Sequence, residues 1–121
     1  MIIYGQPQAG IDSAKTIFNK YTKKEIVTHC ADYTGWRNNV LRQLRFKYKP
    51  IEHPTDVYLI FNLKESEPRT RLKLYTDEII DILIESKVLK DRLSILPFIT
   101  LGTPSECPNV EIDIQLRKKY K

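Results

Sequence analysis

Apolar residues recur along the chain with two different periods. From Asp32 the period is helical: Tyr33, Trp36, Val40, Leu44 and Tyr48 form one stripe, and Leu41 widens it. Asp32 or Thr34 is placed to cap the start, and Pro50 ends the segment. Arg37, Arg42, Arg45, Lys47 and Lys49 lie largely outside the stripe, as a solvated face would. A second helical pattern follows, with Ile79, Ile80, Leu83 and Ile84 on the buried side and Ile82 flanking it. Thr76 reads as its N-cap, Asp77 and Glu78 supply negative charge to its first turn, and it ends near Ser86-Lys87.

Four segments read as strands. Ile2-Ile3-Tyr4 is short and stopped by Gly5-Gln6-Pro7. Asp56 to Leu63 is almost continuously apolar, which predicts a central strand, and a polar loop with Pro68 follows it. Ser94 to Leu101 is β-prone, and Val110 to Leu116 alternates strictly, as a half-buried strand does. Residues 8–30 are polar and mixed, reading as a long irregular loop with a short strand at Glu25-Ile26-Val27-Thr28. Arg117 to Lys121 is a basic tail expected to fray. The order predicts one α+β (α/β) domain over residues 1–121: a small mixed sheet of about four strands with two helices packed on it.

With 121 residues, 41% of them hydrophobic and 29% charged, the chain suits one modest core rather than disorder. Twenty Lys and Arg against 15 Asp and Glu give a formal charge of +5, which favours polyanionic partners. Cys30 and Cys107 read as reduced thiols, not a disulfide framework. His29-Cys30 with Cys107 has no zinc spacing, and no glycine-rich phosphate loop or nucleophile elbow is present. Trp36, Tyr33 and Tyr48 could stack on bases, but their helical stripe assigns them to the core. The opening apolar run is too short for a signal peptide, and no run reaches transmembrane length. A soluble cytoplasmic protein without membrane partners is therefore expected.

In order and spacing these segments resemble the RusA-type Holliday-junction resolvases. Ile3-Tyr4-Gly5-Gln6-Pro7 resembles the family's first strand and proline turn, Tyr33 to Val40 its first helix, and Val57 to Leu63 its central strand. Leu74 to Ile95 resembles its signature, an active-site helix carrying an aspartate before a leucine and then an acidic pair. Asp81-Ile82-Leu83 falls on the helix positions and Asp91 on the first member of the pair. Pro108 to Ile114 resembles the last family strand. The resemblance implies a RusA-like fold, a homodimer, a phage or prophage setting, and branched DNA as partner.

The chemistry departs from the family at its centre. Two family aspartates and an asparagine ahead of the helix fall here on Arg71, Lys73 and Leu74, the family lysine on Asp77, and the second acid of the pair on Arg92. Magnesium needs hard oxygen ligands, and cationic side chains repel it. The expectation is a degenerate resolvase that binds DNA without metal-dependent cleavage, with no metal or cofactor.

Two readings of the basic cluster stay open. Arg69, Arg71, Lys73 and Arg92 could hold a phosphate electrostatically, or pair internally with Asp77, Asp81 and Asp91. Asp77, Asp81 and Asp91 are also the candidates for a relocated magnesium site, which would make the chain an active structure-specific endonuclease. A non-catalytic module that binds another protein on the same fold is the third alternative.

Overall fold

Along Thr55–Asn62 burial alternates residue by residue: Thr55, Val57, Leu59 and Phe61 are buried, and the residues between them are half-buried. This is the centre of a four-stranded mixed sheet in the computed structural model, which describes residues 1–10 and 14–117. The strands are β1 (Ile2–Tyr4), β4 (Thr55–Asn62), β5 (Ile95–Leu101) and β6 (Asn109–Leu116), in the order β1-β6-β4-β5. β6 runs antiparallel to both β1 and β4, and β5 runs parallel to β4. A parallel neighbour requires a crossover, and the helix α2 (Leu72–Glu85) supplies it. The central position of β4 follows the sequence reading. Its continuous apolar run nevertheless does not mean burial on both faces.

The core lies between one face of this sheet and two helices, α1 (Ala31–Lys47) and α2. Val57, Leu59 and Phe61 meet Val110 and Ile112 of β6, Trp36, Val40 and Leu44 of α1, and Ile79, Ile82 and Leu83 of α2 in one cluster. Tyr33 and Trp36 are buried, as their stripe predicts, and Tyr48 packs on the cluster from its edge. The α+β architecture, a mixed sheet of four strands with two helices on it, is the one expected.

Three local expectations are corrected. The short strand expected at Glu25 to Thr28 is present as β3 (Lys24–Thr28), but the residues before it are not an irregular loop: β2 (Lys15–Asn19) pairs with β3 in a separate antiparallel hairpin. None of its described side chains belongs to the core cluster, so they lend the sequence no amphipathic signature. α1 starts one residue after Cys30, which offers no side-chain cap, so Asp32 lies inside the first turn. α2 starts four residues before the expected cap. Pro68 opens a 3-10 turn, Arg69–Arg71, that runs straight into Leu72. Thr76 is therefore interior, its Oγ1 donating to the Leu72 carbonyl at 2.7 Å, a bond that a mid-helix threonine makes readily. Asp77 consequently does not serve the helix N-terminus.

Gly5 turns the chain after β1 at a φ of +106° and donates to the Pro108 carbonyl at 2.9 Å. Gly102, just past β5, donates to the Phe61 carbonyl at 2.9 Å. A Cβ on Gly102 would lie 2.0 Å from Asn62 Oδ1 and 2.9 Å from Ile60 Cγ2, so any larger residue there must displace these two side chains. Lys118 to Lys121 lie outside the described residues, and with them most of the basic tail. Among the described residues no helix is long and apolar enough to cross a membrane.

Candidate nucleic-acid interface

The start of α2 concentrates positive charge where a helix favours negative charge. Arg69 and Arg71 belong to the 3-10 turn that leads in, and Lys73 sits in the first turn. No acidic residue occupies that turn to offset the helix dipole. Arg69 and Lys73 are exposed, and neither side chain forms a hydrogen bond or ion pair with another described residue. Arg69 also lines a cavity of about 160 Å³ with Lys64, Glu65, Glu67 and Gly102.

Arg71 is engaged differently. Its Nε lies 3.9 Å from Glu67 Oε1, and its guanidinium stands 6.0 Å from the centre of the Tyr75 ring. The Tyr75 hydroxyl donates to the same Glu67 carboxylate and accepts from Gln6 Nε2 at 3.3 Å. Burial, and next the bond to Glu67, raise the Tyr75 phenol above its ordinary pKa. Arg71 thus belongs to a network that fastens the incoming loop to α2.

Arg92 is brought onto an acid. Its guanidinium pairs with the Asp81 carboxylate, joining the 3-10 turn Arg92–Ser94 to α2, with both side chains about half exposed. Asp91 caps that turn, accepting from the Ser94 amide at 3.0 Å and from its hydroxyl at 3.2 Å. Asp77 is exposed and unpaired among the described residues. The seven candidates therefore do not form one cluster: Arg92 and Asp81 meet, Arg71 turns to Glu67, and Arg69 and Lys73 face solvent. Among the described residues no three His, Cys, Asp or Glu side chains lie close enough to hold a metal ion together.

Two features were not visible in the sequence. The first is the pairing of the expected strand, β3, with β2 in a hairpin. Lys15, Lys20, Lys23 and Lys24 are exposed on or beside it against a single acid, Glu25, and the exposed aromatics Phe18 and Tyr21 stand among them. Lys20 to Lys23 make its turn, and Lys23 adopts a φ of +56°. Four lysines within ten residues were a signal in themselves, but only strand pairing places them on one ribbon.

The second is a polar clamp between the helices. Tyr33 Oη donates to Glu78, Arg37 Nε stands 3.6 Å from Glu78 Oε1, and the Arg37 guanidinium also pairs with Glu85. The Gly10 amide donates to Glu78 Oε2 at 3.4 Å. Burial, and then the bond to Glu78, push the Tyr33 phenol up to about 12. Arg37 is thus no member of a solvated face, and Glu78 does not serve the helix N-terminus. The clamp is structural chemistry: a buried phenol and a carboxylate that each satisfy the other.

Compared with known proteins, the chain matches no protein-family model and no curated protein.

Proposed function

We propose that this chain is a RusA-like DNA-binding protein that holds nucleic acid without cutting it by metal-dependent hydrolysis. The observation that carries the reading is the division of labour among its charges. Exposed cations, Arg69 and Lys73 at the start of α2 and the four lysines of the hairpin, have no acidic partner among the described residues and can meet phosphate. Two of the three carboxylates that would have to gather a metal are occupied elsewhere: Asp81 by Arg92, and Asp91 by the Ser94 amide. The exposed Phe18 and Tyr21 add faces on which unpaired bases can stack.

The test is a labelled four-way junction beside a duplex of equal length, with and without magnesium, read for both gel shift and cleavage. The expected result is a shift that weakens steeply with salt, with no cleavage in either condition. Arg69→Gln with Lys73→Gln should flatten the salt dependence by about two phosphate contacts. No shift at low salt would remove the reading. Cleavage lost in Asp81→Asn would replace it with the relocated metal site.

A further inference from the structure

The last turns of α1 border a cavity that neither the core nor the nucleic-acid reading uses. Arg42 and Phe46 stand four residues apart, as do Gln43 and Lys47, so the two pairs lie side by side on the helix surface. Met1, just ahead of β1, joins them from the sheet. Together these five residues line a cavity of about 360 Å³, at the small end of the range for ligand-binding clefts. Its lining is almost wholly apolar. Phe46, outside the buried stripe, is 95% exposed, and the methylene stems of the two cations complete the wall.

The rim is positive. Arg42, Arg45, Lys47 and Lys49 are exposed, and none forms an ion pair with a described carboxylate. The guanidinium of Arg42 donates only to the neutral Asn39 Oδ1, at 3.1 Å. Lys47 Nζ stands 5.8 Å from the centre of the Tyr48 ring. The Met1 α-ammonium meets the same charge: burial, and next Lys47, hold it below its ordinary pKa, and Asp113 and Glu111 offset this only in part. Cations suit the last turn of a helix, but that role does not call for an exposed phenylalanine and an apolar cavity among them.

We propose that this cavity binds a free straight-chain fatty acid of medium length, its carboxylate held by Arg42 and Lys47 and its chain laid against Phe46 and Met1. An apolar wall under a cationic rim complements an apolar body with one anionic end. A nucleobase would bring hydrogen-bonding edges to a wall whose one amide, Gln43, already donates to Asn39 Oδ1 at 3.1 Å. A peptide would strand its backbone amides there for the same reason. A second copy docked face to face would set this positive rim against its own like. A bilayer is a surface, whereas the cavity admits a single chain. This inference does not rest on the nucleic-acid reading, whose cations lie at the start of α2 and on the hairpin.

The experiment titrates the isotopically labelled full chain with decanoate, below its micelle-forming concentration, and follows the backbone amide resonances. Saturable shifts should centre on Ile2, Gln43, Phe46 and Lys47, with a dissociation constant on the order of 100 µM. Octanoate should bind at least about fivefold more weakly, because each buried methylene is worth about fourfold. Decanol, which lacks the charge, should bind at least about tenfold more weakly than decanoate. Phe46→Ser and Lys47→Gln should each weaken decanoate binding at least about fivefold. Both side chains are exposed, so the fold tolerates these changes. The proposal is overturned if nothing saturates up to about 5 mM, if the shifts centre on the hairpin, or if decanol binds as tightly as decanoate. It is equally overturned if both variants bind like the parent chain, or if the chain takes up anionic phospholipid vesicles but not decanoate.

Discussion

The Arg92 guanidinium closes on the Asp81 carboxylate across eleven residues of chain, tying the turn that enters β5 to the exposed flank of α2. Both side chains are about half exposed, so water screens the pair and its net contribution is small. Arg92→Gln and Asp81→Asn should each cost less than about 1 kcal/mol, and a double-mutant cycle should return a coupling of roughly 0.2–1 kcal/mol. Urea denaturation of the four proteins gives both numbers. A coupling well above that range would mean the pair is shielded.

Gly102 faces a stricter demand. Asn62, whose Oδ1 a Cβ there would strike, is held in place by its Nδ2, which donates to Asn109 Oδ1 at 2.9 Å and Glu111 Oε2 at 3.0 Å. Gly102→Ala should therefore destabilise the fold by about 1–3 kcal/mol, and Asn62→Ala in the same chain should recover much of that loss. Thermal melts of the single and double variants test the compensation.

Tyr33 makes stability depend on alkaline pH. Its phenol is held protonated in the folded chain up to about 12, against an ordinary value near 10 when unfolded. The folded state thus binds the proton more tightly. The associated stability is complete below about pH 10 and is lost as pH rises toward about 12. Absorbance at alkaline pH should show this tyrosine ionising late, and Tyr33→Phe should remove that step and flatten the decline in stability.

Lys87 ends α2 with a φ of +67°, its amide donating to the Ile84 carbonyl at 3.1 Å. A left-handed residue after a helix is the position where glycine is preferred. Lys87→Gly should raise the unfolding free energy by about 0.5–1 kcal/mol, measured by chemical denaturation.

Phe61 is fully buried where β4 meets both helices and lies 6.3 Å from the Tyr75 ring. Phe61→Ala should cost about 3–5 kcal/mol, enough to populate unfolded chain at moderate temperature. Loss of cooperative thermal unfolding is the readout.

What could be read from the sequence was whatever packs on the core. The stripe from Tyr33 to Tyr48 and the alternation of Val110 and Ile112 both report burial, and both elements stand where they were placed. Of the hairpin only β3 was legible, because none of its described side chains belongs to the core cluster and little contrast between faces marks them. Thr76-Asp77-Glu78 imitates a helix start so well that the true one, hidden in Arg69-Thr70-Arg71, was missed. At the candidate interface, residue types alone could not say that Arg71 would turn to Glu67 while Arg92 found Asp81. Those pairings depend on where the loops return.

The first strand has a single neighbour in the sheet, and that neighbour is the last strand: Ile2 stands opposite Glu111. During synthesis β1 therefore leaves the ribosome long before the segment it pairs with has been made. α1, β4, α2 and β5 can associate in the meantime, but the sheet cannot close until β6 slides between β1 and β4. Such distant pairing slows folding and leaves two apolar strand edges open while the chain waits. For this chain the hazardous interval is the one before β6 has been synthesised, when a chaperone would do the most to keep it from aggregating.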